Sequence, residues 1–203
     1  MFDMIGDIHG HADALERLLI KLGYELRADG WQQAGRQVIF LGDFIDRGPK
    51  QAQTIKIVQD MIENGHAQAV MGNHEFNAIA WATEDSQNSG ACLRARTQKN
   101  LRQHEAFLRE VGADSRAHRK TIDWFKEIPN KAVPANLQPG YDDLKPLFIG
   151  HYWMSGQPEL IHPHIACVDW SVAASDNPQA KLCAYQWDGE TQLDAKNMLW
   201  VKR

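Results

Sequence analysis

Four clusters of polar residues, each directly after a short apolar run, constrain the fold of this chain most strongly. The clusters read G-D-I-H-G at residues 6–10, G-D-F-I-D-R-G at 42–48, G-N-H-E at 72–75 and G-H at 150–151. In an open α/β sheet, the loops at the carboxyl ends of neighbouring strands converge on one crevice. The sequence therefore predicts a single site assembled from four strand ends.

Amphipathic stretches separate the apolar runs, which favours β-α units that feed a largely parallel sheet. Strands are predicted at 2–5, 38–41, 67–71, 147–149, 165–168, 182–187 and 198–201. Helices are predicted at 13–22, 52–62, from about 75, and then at 101–111 and 121–128, the last two forming a small helical cap. The proline-rich stretch from Pro129 to Pro146 is interpreted as a surface loop. Asp188-Gly189 suits a hairpin between the last two strands.

Composition limits the classes of protein to which the chain can belong. A length of 203 residues with 43% hydrophobic content predicts one domain over residues 1–203. The net charge of −4, without any basic block, argues against a polymeric nucleic acid as partner. Three widely spaced cysteines indicate reduced thiols in a cytoplasmic protein. No long apolar run is present, so neither export nor a membrane span is expected, and the oligomeric state stays open.

The residue types in the four clusters indicate metal binding. Carboxylates, an amide oxygen and imidazoles, without thiolate, suit Mn²⁺ first, with Fe or Zn²⁺ as other candidates. Asp7 and His9 can bend around one ion, Asp43 is the natural bridge, and Asn73 and His151 would serve a second ion. Two ions roughly 3.5–4 Å apart can share a hydroxide and clamp both oxygens of an in-line displacement at phosphorus.

These motifs resemble those of the calcineurin-like metallophosphoesterases, in particular the phosphoprotein phosphatase branch with its serine/threonine phosphatases and diadenosine tetraphosphatases. The resemblance implies an α/β fold, a metallophosphoesterase-type β-sandwich flanked by helices, with a dinuclear metal centre. It also implies the same metal ligands: Asp7, His9, Asp43, Asn73 and His151. The remaining roles it implies are a general acid, a carboxylate that orients it and a phosphate-binding guanidinium, carried by His74, Asp46 and Arg47.

One expected feature of that family is missing from the sequence. A further metal-binding histidine, on a strand between the cap and Gly150-His151, has no counterpart in the stretch after Ile128. The second ion could be held with water in that position, or His162 or His164 could substitute. Alternatively, the site could hold one ion and be weak or inactive.

The leading functional prediction is a metal-dependent phosphoesterase. It would hydrolyse a phosphomonoester, on a protein or a small molecule, or a dinucleoside polyphosphate, by direct attack of metal-bound hydroxide. The alternative is a degenerate family member that binds a metal, a phosphorylated ligand or a partner with little or no hydrolysis. The cap and the loop after it would set substrate choice, and neither carries a motif that identifies the substrate.

Overall fold

A computed structural model describes residues 1–128 and 145–203, and a mixed sheet forms its centre. The strands are β1 Phe2–Ile5, β2 Glu25–Arg27, β3 Gly30–Gln32, β4 Gln37–Phe40, β5 Ala67–Ala69, β6 Leu147–Ile149, β7 Ile165–Cys167, β8 Asp169–Trp170, β9 Lys181–Trp187 and β10 Met198–Lys202. The order in the main sheet is β10-β9-β1-β4-β5, with β8 also paired to β9. Strands β1, β4 and β5 are parallel, so the loops that follow them meet at one edge.

The two faces of the main sheet pack against different layers. Side chains alternate along each strand, so Ile5 belongs to the cluster that packs with the helices, whereas Met4 belongs to a second cluster. The second cluster also includes Ala166 of β7, and Phe148 of β6 packs against it. The parallel pair β6–β7 thus forms a small second sheet. This arrangement confirms the predicted α/β class and its two-layered β structure, although the main sheet is mixed rather than largely parallel.

Five α-helices lie in the described residues. Their bounds are α1 Ala12–Leu22, α2 Gln51–Glu63, α3 Asn73–Ala82, α4 Gln98–Val111 and α5 Arg116–Glu127. Helices α4 and α5 form the predicted cap, with α4 against α2 and α5 against α3. Buried cap residues such as Phe107 and Phe125 belong to the main apolar cluster. The cap is therefore fixed to the core, while the single domain over 1–203 remains a prediction.

Some details differ from the sequence predictions. A hairpin of β2 and β3 was not predicted, because these short strands lack an extended alternating pattern. Strands β9 and β10 pair as expected, but residues 188–197, including a 3₁₀ turn at Ala195–Asn197, join them instead of a tight Asp188-Gly189 hairpin. The predicted loop from Pro129 to Pro146 falls largely outside the described residues. No described helix has the length and apolarity that a membrane crossing would need.

A buried ion pair fixes the start of β1. The Asp3 carboxylate is fully buried and accepts hydrogen bonds from Arg36 Nη2 and Tyr24 Oη, both at 2.8 Å. Arg36→Ala would leave this carboxylate buried without its cation, so we expect the free energy of unfolding to fall by about 3–5 kcal/mol. Urea denaturation measures this loss. Arg27→Ala, which removes an exposed pair with Glu25, is the control and should change little; equal small losses in both variants would contradict the prediction.

Candidate metal centre

The backbone of the site is tightly packed and locally strained. Eight described non-glycine residues have positive φ, and six of these occur in the clusters or next to them: His9, Asp43, Asp46, Arg47, His151 and Trp153. Such conformations persist only where the surroundings impose them, and they are concentrated at functional sites. A Cβ at Gly72 would overlap Asp43, so only glycine allows the loops after β4 and β5 to approach this closely.

Glu75 holds these two loops together. Its carboxylate is fully buried and accepts backbone hydrogen bonds from Asp43 and Phe44 at 2.8 Å and from Gly72 at 3.1 Å. The bond to Gly72 satisfies the N-cap backbone N–H of α3, which is the half of a capping box that needs no side chain at the N-cap. No role was predicted for Glu75, although the third position of a helix is where a glutamate can bond back to the N-cap backbone.

Four of the predicted ligands, together with the predicted proton donor His74, converge on two neighbouring positions. Ring nitrogens of His9 and His74 and a carboxylate oxygen of Asp43 lie within 4.8 Å of one another, and so do ligand atoms of Asp7, Asp43 and His151. Asp43 belongs to both groups, which is the arrangement expected of a bridging carboxylate. Asn73, the first residue of α3, is exposed and lines the same cavity as His151.

The surroundings of His9 fit a metal ligand. Its Nδ1 donates to the Ile45 carbonyl at 2.9 Å, so Nε2 points toward the carboxylates. Nε2 is 3.9 Å from an oxygen of both Asp7 and Asp43, too far for a hydrogen bond. A histidine that binds metal commonly donates its other N–H to a backbone carbonyl. Burial and the neighbouring His74 lower the pKa of His9 to about 4, which keeps the imidazole neutral, as metal binding requires.

Buried carboxylates crowd the second position. Burial, followed by the charges of Asp169 and Asp43, raises the pKa of Asp7 to about 8. Burial also raises the pKa of Asp169, which accepts backbone hydrogen bonds from Trp153 at 2.8 Å and Ser171 at 3.0 Å. Divalent cations relieve such repulsion between carboxylates. The donors therefore fit a pair of divalent ions. Asp169 was missed in the sequence because it follows strand β7 without glycine beside it.

His74, a member of the first group, also forms the pair that was predicted to carry the proton. His74 Nδ1 donates to Asp46 Oδ2 at 2.6 Å, and the His74 backbone N–H donates to Asp43 Oδ1 at 2.9 Å. Burial alone would lower the pKa of His74, but the hydrogen bond to Asp46 and the charge of Asp43 outweigh it and raise the pKa. The structure thus brings together the predicted acid and its orienting carboxylate. A second imidazole, His104 of α4, also contacts Asp46, and no sequence motif indicated it.

An open cavity of about 870 Å³ lies over the cluster. One wall contains Asp43, Asn73, His74 and His151, and Arg47 and Trp153 stand at its side. The Arg47 guanidinium lies 4.9 Å from the centre of the Trp153 ring, and this cation–π contact leaves its N–H groups exposed. Arg47 is therefore placed where a planar fork of donors could meet phosphate oxygens.

Neither histidine suggested as a replacement ligand lies with the cluster. His164 carries the carbonyl that accepts from Leu147 N, so both His162 and His164 lie beside the start of β6. His151 follows the other end of that strand, about 10 Å away for three residues. The described geometry therefore does not support substitution by His162 or His164, and that suggestion stays a prediction. The segment in which the family histidine was sought lies mostly outside the described residues.

Comparison with known proteins agrees with this geometry. The calcineurin-like phosphoesterase family model matches residues 2–181. A bis(5'-nucleosyl)-tetraphosphatase PrpE [asymmetrical] from Oceanobacillus iheyensis is 42% identical over 73 residues, which are 36% of this chain and 29% of that protein. A symmetrical bis(5'-nucleosyl)-tetraphosphatase from Buchnera aphidicola is 38% identical over 77 residues, 37% of this chain and 24% of that protein. The matched segment thus spans less than a third of these relatives.

The fold resembles a solved structure over nearly its whole length. A candidate diadenosine tetraphosphatase superposes with a TM-score of 0.59 at 15% identity, covering 98% of this chain and 92% of that one. At this level of identity the similarity concerns the fold alone. Because the family model spans most of the sequence and the motif residues converge in space, the chain belongs to the calcineurin-like phosphoesterase family.

Proposed function

We propose that this protein is a metal-dependent phosphoesterase that hydrolyses a polyphosphate ester such as a dinucleoside polyphosphate. The observation that carries the proposal is the His74–Asp46 hydrogen bond: His74 belongs to one of the two groups of ligand atoms and lies next to Asp43, which both groups share. A family member that only bound a phosphorylated ligand would have no need of a proton donor in this position. The geometry therefore favours hydrolysis over the degenerate alternative.

In the proposed mechanism, two divalent ions would be held by Asp7, His9, Asp43, Asn73 and His151, with Mn²⁺ as the first candidate and Fe or Zn²⁺ as others. Such ions supply a water of lowered pKa and neutralise the charge that develops at phosphorus. Arg47 binds the phosphate oxygens from the open side of the cavity. His74 donates its proton to the leaving oxygen, and Asp46 keeps the imidazole in the tautomer and orientation that this transfer needs.

The wall of the cavity that α4 forms supports a substrate with more than one phosphate. Lys99, Arg102 and Arg109 of α4 line this wall, are exposed, and make no ion pair with any described residue. Their only acidic neighbour on that wall is Glu105. An open cavity of this size with cationic groups on two sides suits an extended polyanion better than a single phosphate. We therefore propose that a polyphosphate chain binds between Arg47 and α4. The three cysteines are free, which fits the proposed cytoplasmic location.

The first test is hydrolysis of p-nitrophenyl phosphate and of bis(5'-adenosyl) tetraphosphate with added Mn²⁺, together with metal analysis of the same sample. We expect two metal ions per chain, turnover of both substrates, and a lower KM for the tetraphosphate. If several metals give no turnover of either substrate, the proposed function is wrong.

The wall of α4 can be tested separately. In the double variant Arg102→Ala/Arg109→Ala, we expect KM for the tetraphosphate to rise about ten-fold, the size expected for one charge-assisted hydrogen bond. Turnover of p-nitrophenyl phosphate should not change, since it carries one phosphate. The matched control, Arg116→Ala/Lys120→Ala, removes the same charge from α5 outside the cavity. An equal rise of KM in both double variants would mean that the overall positive charge attracts the substrate, and that Arg102 and Arg109 do not contact it.

A further inference from the structure

The cap is connected to the proposed proton donor through one buried side chain. His104 lies in the middle of α4, 1% exposed, and its Nδ1 is 2.9 Å from Oδ2 and 3.2 Å from Oδ1 of Asp46. Since an ionised carboxylate can only accept, Nδ1 must carry the proton in this hydrogen bond. Asp46 therefore accepts hydrogen bonds from two imidazoles, His74 and His104.

The rest of the environment of Asp46 is equally fixed. Its side chain is fully buried, its backbone is held at a φ of 72°, and its N–H donates to Gln51 Oε1 at 2.7 Å. His104 in turn packs its ring edge against Trp81, with 6.0 Å between ring centres. The Nε2 atom of His104 is buried and has no hydrogen-bond partner among the described residues. Among the residues that the structure describes, the N–H bond to Asp46 is thus the one polar contact of this ring that explains its place in the core.

We propose that His104 is a positioning residue that holds the Asp46 carboxylate in the orientation His74 needs to protonate the leaving group. Without His104, Asp46 would keep one imidazole partner and could rotate, and the Nε2 atom of His74 would lose its fixed direction. The cap would then act on the chemistry itself and not only on substrate binding. This inference rests on the proposed phosphoesterase function.

Leaving groups of different quality separate this role from a structural one. Phenolate needs protonation as it leaves, whereas p-nitrophenolate leaves readily without it. In His104→Phe we expect kcat for phenyl phosphate to fall about 10–100-fold, a part of the roughly 10²–10⁴-fold that general acid catalysis contributes. For p-nitrophenyl phosphate, kcat should change little. Metal content should equal that of the wild type.

Two further variants sharpen the experiment. The amide nitrogen of asparagine lies two bonds from Cβ, as Nδ1 of histidine does, whereas the amide nitrogen of glutamine lies one bond farther. His104→Asn should therefore restore the ratio of the two kcat values, and His104→Gln should not. If the phenylalanine variant does not fold, this pair replaces it. His118→Phe is the matched control, because His118 is buried in the same cap at 3% exposure, also has an unpartnered Nε2 among the described residues, and lacks contact with Asp46.

The measured kcat values distinguish a positioning role of His104 from a purely structural one. A selective loss for phenyl phosphate in His104→Phe, absent from His118→Phe and rescued by asparagine, supports the proposal. Equal losses for both substrates, the same ratio in His118→Phe, or no change at all would overturn it. Failure of the wild type to hydrolyse either ester would instead refute the proposed function on which the inference rests.

Discussion

Replacing Asp43 with asparagine is expected to remove both bound metal and activity. Asp43 is the one residue shared by the two groups of ligand atoms, so its charge would serve both ions. Losing metal assistance forfeits several kcal/mol of transition-state stabilisation, which corresponds to about 10³-fold or more in kcat. Metal analysis and turnover of p-nitrophenyl phosphate, measured on the same preparation, test both parts of this expectation.

The Asp43 variant needs a control for charge and for folding. Asp13→Asn removes one carboxylate that is exposed and pairs with Lys50, and it should retain metal and activity. The thermal unfolding midpoint of apo Asp43→Asn should stay close to that of the apo wild type. The neutral amide relieves the charge repulsion with Asp7, and the hydrogen bond from residue 43 to Glu75 involves only the backbone of residue 43. Full metal content with full activity in Asp43→Asn would refute the metal assignment.

The fold and the centre of the site could be predicted because the sequence places each polar cluster at a strand end. Residues 2–5 and 37–40 form parallel strands, and the parallel arrangement alone brings Asp7 and Asp43 to one edge. Local hydrophobic pattern determined these strands, and the geometry of parallel sheets determined the rest.

The cap illustrates what local pattern could not give. Helix α4 was predicted from Leu101, its first apolar residue, but it begins at Gln98, where the Thr97 hydroxyl accepts from Asn100 N. Helix α5 likewise begins after Ser115, which caps it in the same way. The caps, and not the apolar residues, set both starts.

His104 and Asp169 could not have been found by spacing. His104 contacts a residue 58 positions earlier in the chain, and the packing of α4 on the core decides that contact. Asp169 reaches the site because β8 pairs antiparallel with β9, and a β-α pattern in the sequence does not predict this pairing. Such long-range contacts depend on tertiary packing, so a sequence motif cannot predict them.

His74→Asn is expected to separate proton donation from metal binding. The backbone N–H of residue 74, which holds Asp43 Oδ1, remains, so metal content should equal that of the wild type. Asparagine has no proton to give from the position of Nε2, and kcat for phenyl phosphate should fall about 10²–10⁴-fold. The loss of kcat for p-nitrophenyl phosphate should be smaller. The control is His66→Asn, which changes a histidine paired with Asp29 at 3.2 Å and should not affect kcat for either substrate. Because a ring nitrogen of His74 also lies within 4.8 Å of ligand atoms of His9 and Asp43, loss of metal in His74→Asn would identify His74 as a ligand and exclude it as the general acid.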